Sequence, residues 1–173
     1  ERHEMASYGH FISDKTKEIL LGFLGVESYV DDYVFDGIKA AGDSLSTRAL
    51  YIQWGFEERR HGQTLRHCLI DSGLYTREFV DGYLDEASEY RWTFKIQTGY
   101  EATPLRAAAY AVFQERQTRW NYTQLRRHIW EEYGSPTNSD GHPVYPAVAG
   151  ALRFPETDEG AHEANFSNIV RIY

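Results

Sequence analysis

Apolar residues recur along this chain at helical spacing. After a start signal at Ser13-Asp14, the positions Ile19, Leu20, Phe23, Leu24, Tyr29, Val30, Tyr33 and Val34 predict one helix running to about Ala40, where Ala41-Gly42-Asp43 breaks it. Ala49, Tyr51, Ile52, Trp54, Leu65, Cys68 and Leu69 predict a second helix, capped by Ser44 or Ser46 and ending at Asp71-Ser72-Gly73. A third runs from Thr76 to Phe94, with Phe79, Tyr83, Ala87, Tyr90 and Phe94 on one side and the solvated acids Glu86 and Glu89 on the other. Thr103-Pro104 opens a fourth, an N-cap followed by proline in the first turn, and Gly134 closes it after Tyr133. Ser135 to Pro143 has loop composition. Tyr145 to Tyr173 is Ala-rich and interrupted by Pro155, which predicts a kinked or two-piece helix. There is no solenoid-type repeat and no low-complexity tract. The pattern predicts an all-α fold over residues 1–173, a four-helix bundle in one domain with the Thr76–Phe94 helix flanking it.

Composition narrows the partners. The 173 residues carry a net charge of -8, with no basic face to offset phosphate repulsion, which excludes nucleic acid. No apolar run is long enough for membrane insertion. Cys68 is the only cysteine, so no internal disulfide forms and a reducing, cytoplasmic setting is expected (the plastid stroma, if the source is a plant). Cys68 itself reads as a small core thiol. Asn121 and Asn165 match a glycosylation pattern but fall in helices and are discounted; His3, His10 and His142 are given no role. Glu1 is not an initiator methionine, and the chain is expected to be the core of a longer one.

The candidate chemistry lies in two Glu-x-x-His pairs, Glu58 with His61 and Glu159 with His162. On a helix, i and i+3 side chains share a face, so each pair aims a carboxylate and an imidazole at one point. The chance expectation for this motif in a chain with seven histidines is roughly 0.6, so two matches alone say little. Two further features raise the odds. An acid precedes each pair, Glu57 and Asp158, suited to hold a ligand imidazole from outside. An isolated carboxylate, Glu27 and then Glu115, sits on the apolar face of an upstream helix in each half. The order Glu, Glu-x-x-His, Glu, Glu-x-x-His is that of a di-iron carboxylate bundle, with two iron ions between four helices. Four buried carboxylates without metal would be very costly.

Glu57-Glu58-Arg59-Arg60-His61-Gly62, Phe113-Gln114-Glu115-Arg116 followed by Thr118, and Asp158-Glu159-x-x-His162-Glu163 resemble the three motif blocks of the soluble acyl-carrier-protein desaturases, which are ferritin-like di-iron proteins. Glu27, with Tyr33 six residues on, resembles that family's first ligand segment. The resemblance implies Glu27 and His61 as terminal ligands of one iron, Glu115 and His162 of the other, Glu58 and Glu159 bridging, and Thr118 beside the oxygen-binding pocket. It also implies an acyl chain on an acyl-carrier protein as substrate, a ferredoxin-like electron donor and a homodimer. Such partners are usually acidic, and Arg59, Arg60, Arg66, Arg116, Arg119, Arg126 and Arg127 are the candidate basic surface, the alternative being solvated helix faces or internal ion pairs. The chain departs from the family in its shorter length, in Gly160-Ala161 inside the last block, and in Pro155 before it. Rivals that keep the ligand order are a hydroxylase of a biosynthetic pathway, a bacterioferritin-like or rubrerythrin-like iron-handling protein, and a metal-free relic.

Overall fold

A computed structural model describes residues 11–173; His3 and His10 lie outside them. The described residues are helical, in the order α1 (Asp14–Glu27), α2 (Val30–Ala40), α3 (Leu45–Asp71), α4 (Arg77–Ser88), α5 (Phe94–Thr98), α6 (Pro104–Glu132), α7 (Ala147–Ala151) and α8 (Arg153–Ile172). Starts follow the capping chemistry in the sequence: the hydroxyls of Ser13, Ser44, Thr76, Thr93 and Thr103 each accept the backbone N–H three residues on. Gly134, at φ +88°, takes the left-handed conformation that ends α6.

Two antiparallel pairs build the bundle. In one, α1 and α2 run against α3: Glu27 lies opposite Gly62, Val34 opposite Gly55, and Gly37 beneath the Tyr51 ring. In the other, α6 runs against α8, with Glu115 opposite His162 and Thr123 opposite Glu156. Contacts of α2 with α6 and of α3 with α8 join the pairs.

Each long rod passes through three layers. One apolar half holds Leu20 and Leu24 of α1, Leu65 and Leu69 of α3, Tyr122, Leu125 and Ile129 of α6, and Leu152. The other holds Val30 and Tyr33 of α2, Tyr51 and Trp54 of α3, Ala107, Ala108 and Ala111 of α6, and Phe166 and Ile169 of α8. Between these halves, in sequence on every rod, lie the buried residues Glu27, Glu58, His61, Glu115, Glu159 and His162. The two apolar halves fix the register of the four rods and so hold a charged layer in the middle of the protein.

Two expectations about elements need correction, and the last segment is in two pieces as expected. The first helix is two helices, because the chain tightens after Glu27. Ser28 N–H reaches both Leu24 and Gly25 carbonyls, its hydroxyl donates to Gly25 O at 2.6 Å, and Tyr29 N–H bonds Val26 O three residues back. The third helix stops at Ser88 rather than Phe94. Two aspartates of α2 intercept the segment beyond it: Asp32 accepts the backbone N–H of Trp92 at 3.0 Å, and Asp36 that of Phe94 at 2.9 Å. In the last segment the break falls at Leu152 and Pro155 lies in the first turn of α8, where its missing N–H costs nothing; Glu159 still sits inside a regular helix. The Ser135–Pro143 loop is a small antiparallel turn tied to α6 by the Trp130 indole, which donates to Pro136 O at 2.9 Å, and it leaves His142 exposed. Cys68 is buried, with its thiol pushed up to about 12 by burial and then by Asp71, as suits a core residue.

Candidate metal centre

Each of the six candidate ligands is no more than 5% exposed. Their donor atoms form two overlapping groups, Glu27, Glu58, His61 and Glu159 in one and Glu58, Glu115, Glu159 and His162 in the other, with all atoms of a group within 4.8 Å of one another. The shared members are Glu58 and Glu159. The rings of His61 and His162 lie 5.8 Å apart, centroid to centroid. Both imidazoles turn Nδ1 inward: that of His61 is 3.1 Å from Glu58 and 3.7 Å from Glu159, and that of His162 is 3.0 Å from Glu115 and 3.5 Å from Glu159.

The outward nitrogens are held crosswise. His61 Nε2 lies 3.3 Å from Asp158, and His162 Nε2 lies 2.8 Å from Glu57. Each acid beside a Glu-x-x-His pair therefore grips the imidazole of the other pair, on the other antiparallel unit. A proton on Nε2 donated to a carboxylate leaves the Nδ1 lone pair facing the centre, the tautomer a metal ligand needs. The Gln53 amide, 2.6 Å from the second oxygen of Glu57, fixes that carboxylate in turn.

The electrostatics show a cluster short of positive charge. Burial, then the charges of Glu58 and Glu159, push the Glu27 carboxyl well above the usual range. Burial, with Glu115 next to it, does the same to Glu159, and burial raises Glu115. Burial also works against ionised Glu58, but the imidazoles of His162 and His61 beside it outweigh burial and hold this carboxyl down at about 2. Burial pulls both imidazoles down, and the carboxylates around them reverse this and raise them. Without metal, protons on the raised carboxyls and imidazoles stand in for the missing positive charge.

Metal fits this donor set better than protons do. Among the described residues, Glu58 Oε1 and Glu159 Oε1 are buried carboxylate oxygens with no hydrogen-bond donor. Glu58 Oε1 sits 2.9 Å from His162 Nδ1 but without the alignment of a hydrogen bond. The two unsatisfied acceptors belong to the two residues shared by both groups, where a second cation would find its ligand. Hard carboxylate oxygens and two imidazoles suit divalent iron or manganese.

The structure thus brings together all six residues singled out in the sequence, with Glu57 and Asp158 behind the imidazoles. Thr118 stands apart from the donor groups: its hydroxyl donates to Gln114 O at 2.9 Å, and it borders an outer groove with Tyr110, Gln114 and Arg116. The seven arginines are all engaged. Arg59 pairs with Asp31, Arg66 with Asp81, Arg116 with Glu163, Arg126 with Glu156 and Arg127 with Glu131; Arg119 reaches Glu163 at 4.0 Å, and Arg60 lies over the Phe154 ring. Sequence reasoning missed Tyr122, whose hydroxyl donates to Glu27 Oε1 at 2.8 Å. Its spacing of seven from Glu115, two turns along one face, was the available signal. Among the described residues no helix is long and apolar enough to cross a membrane.

A family model described as fatty acid desaturase matches residues 36–171, a span that contains every candidate ligand except Glu27. No curated protein and no solved structure gives a significant match.

Proposed function

Because this chain belongs to the fatty acid desaturase family, and so to the oxidoreductases, we propose that it is a di-iron, dioxygen-dependent enzyme of ferritin-like architecture that inserts a double bond into an acyl chain carried on an acyl-carrier protein. The observation that carries this reading is the pair of overlapping donor groups with Glu58 and Glu159 in common. Glu27 and His61 would hold one iron, Glu115 and His162 the other, and Glu58 and Glu159 would bridge. Bound iron supplies dioxygen activation strong enough to take hydrogen from an unactivated methylene.

The protein's part is position and dryness. Glu57 and Asp158 keep the imidazole lone pairs inward. Tyr122 fixes Glu27, the ligand at the end of α1. Two apolar layers exclude water from the reacting centre. Thr118 borders the outer groove on α6 with Tyr110 and Gln114, and is assigned to the oxygen side of the reaction. Electrons would come from a ferredoxin-like donor, and a homodimer in the cytoplasm or plastid stroma is the expected setting. Arg59, Arg116, Arg119 and Arg127 keep side chains at least 55% exposed despite their ion pairs, and these are the proposed docking points for acidic partners.

The test is anaerobic loading with ferrous iron, then exposure to oxygen with a panel of acyl-carrier-protein substrates and a reduced ferredoxin. Loss of two hydrogens from the acyl chain is the expected result. Gain of one oxygen atom would make the protein a hydroxylase. Iron oxidation with no acyl product, together with a cage-sized assembly by light scattering, would replace the proposal with iron handling.

A further inference from the structure

On the aromatic side of the charged layer, a line of oxidisable rings leads outward. Trp54 lies one turn along α3 from Glu58. Its ring meets that of Tyr33 of α2 at 4.9 Å between centroids, and Tyr33 meets Trp92 edge to face at 5.7 Å. Trp92 in turn lies 5.8 Å from Tyr110 of α6, which borders the outer groove. These are contact distances for aromatic rings. Trp54 and Tyr33 are buried, at 4% and 6% exposure, whereas Trp92 and Tyr110 are half-buried. The line therefore runs in unbroken ring contact from beside the candidate ligands to the surface.

Packing alone does not call for these four residues. Phenylalanine fills such a core without a polar atom, and Phe94 and Phe166 do so nearby. Indole and phenol differ from a phenyl ring in giving up an electron far more readily. Trp92 is also placed by a dedicated contact: it sits in the connection between α4 and α5, where Asp32 accepts its backbone N–H at 3.0 Å and so brings its ring onto Tyr33. Burial, then the charges of Glu58, Glu27, Glu115 and Glu159, push the Tyr33 phenol well above its usual range. This phenol lies in the field of the charged layer and keeps its proton, so the indoles on either side of it are the groups that can hold a missing electron.

We propose that Trp54, Tyr33 and Trp92 form a path by which a metal centre oxidised by dioxygen, with no acyl chain to attack, is discharged from the surface. An oxidant able to take hydrogen from an unactivated methylene can also take an electron from an indole. Trp54 gives one electron to the centre and is refilled from Trp92 across Tyr33. The oxidised Trp92 releases its indole proton to water, then regains an electron and a proton from a thiol outside; two passages turn two thiols into one disulfide. Short hops between touching rings outrun one long transfer, because electron transfer slows steeply with distance. The inference rests on the di-iron reading for the oxidant. It goes beyond that reading in giving the protein a second activity, thiol oxidation without substrate, which spares the ligands from the oxidant.

The full chain is loaded anaerobically with ferrous iron, iron uptake is measured first, and oxygen is then added without acyl substrate. Rapidly frozen samples are read by electron paramagnetic resonance. A radical signal that narrows when the tryptophans are ring-deuterated is expected. Dithiothreitol in the solution should shorten its life and be oxidised in step with oxygen uptake. After repeated cycles without thiol, oxygen adducts located by mass spectrometry should fall on Trp92. Trp120 is the control: it is 59% exposed but about 15 Å along α6 from Tyr110, and oxidants free in solution would strike it first. Trp92→Phe and Tyr33→Phe keep a ring at each position; each should prolong the radical several-fold and move the adducts inward to Trp54. Iron oxidation with no tryptophan radical, adducts concentrated on Trp120, or an unchanged pattern in both variants would overturn the proposal, while acyl product from a parallel run with substrate would leave the desaturase reading standing. Protein that takes up no iron would overturn the di-iron reading itself, and this inference with it.

Discussion

Glu57 follows the α3 sequence toward Glu58 and His61, yet its carboxylate is 2.8 Å from His162 on α8. Replacing it with alanine should therefore damage the metal position on the far side of its own motif. Outer carboxylates of this kind are typically worth about 10–100-fold in metal affinity, or about 1.4–2.7 kcal/mol. Glu57 and Asp158 are equally exposed, at 27% each, so water can replace either to the same extent and distance decides between them. At 2.8 Å against 3.3 Å, Glu57→Ala should cost about 30-fold and Asp158→Ala about 10-fold. The assay is anaerobic cobalt(II) titration followed by visible absorption, run as double-mutant cycles against His162→Ala and His61→Ala. Glu57 should couple to His162, with an interaction energy of about 1 kcal/mol or more, and be additive with His61 within about 0.5 kcal/mol. Asp158 should show the reverse. Coupling of Glu57 to His61, its neighbour in sequence, would refute the crosswise arrangement and with it the tautomer argument.

The pH dependence of the metal-free protein should run opposite to that of the metal-loaded one. Glu27, Glu115 and Glu159 are raised above their unfolded values, as are both imidazoles, so their contribution is complete below those unfolded values and is lost as pH rises toward the folded ones. Glu58, held at about 2, contributes in the other direction and loses its stabilisation only in acid. Thermal melts between pH 6.5 and 9 should show the metal-free protein weakening with pH while metal affinity rises, because metal takes the place of protons. Tyr122→Phe removes the donor to Glu27 and should cost about 1–3 kcal/mol in the metal-free protein, read as a fall in melting temperature; no change would mean Glu27 finds another partner. Gly37→Ala would place a Cβ in the Tyr51 ring and should destabilise by about 1–3 kcal/mol in urea unfolding, while leaving cobalt affinity intact.

The centre was legible in the sequence for a definite reason. Glu58 with His61 and Glu159 with His162 are local, and helical geometry alone fixes which way they face relative to each other. Glu27 and Glu115 were legible as carboxylates stranded on apolar faces. What could not be read is whatever depends on two helices meeting. Nothing local says that Glu57 serves α8 or that Asp158 serves α3, because the antiparallel register is set by packing of distant residues such as Leu65 and Phe166. The break after Glu27 escaped for a different reason: Tyr29, Val30 and Tyr33 continue the apolar spacing across it, and the tightening is carried by Ser28, whose hydroxyl bonds within its own turn. The early end of α4 depends on Asp32 and Asp36, about sixty residues upstream. Tyr51 and Trp54 were read only as apolar surface, since the ring contacts they make with Phe166 and Tyr33 become visible only in three dimensions.

Placing the ionisable layer between two well-packed lobes gives the molecule a waist. A helical bundle ordinarily frays from its tips, but here the tips are clamped by aliphatic packing at one end and aromatic packing at the other, while the middle depends on what fills it. Before iron arrives, amide exchange should be fastest around Ser28 and Tyr29, where the first rod is already interrupted beside its ligand; after iron is bound, the same girdle should become the last part of the protein to open.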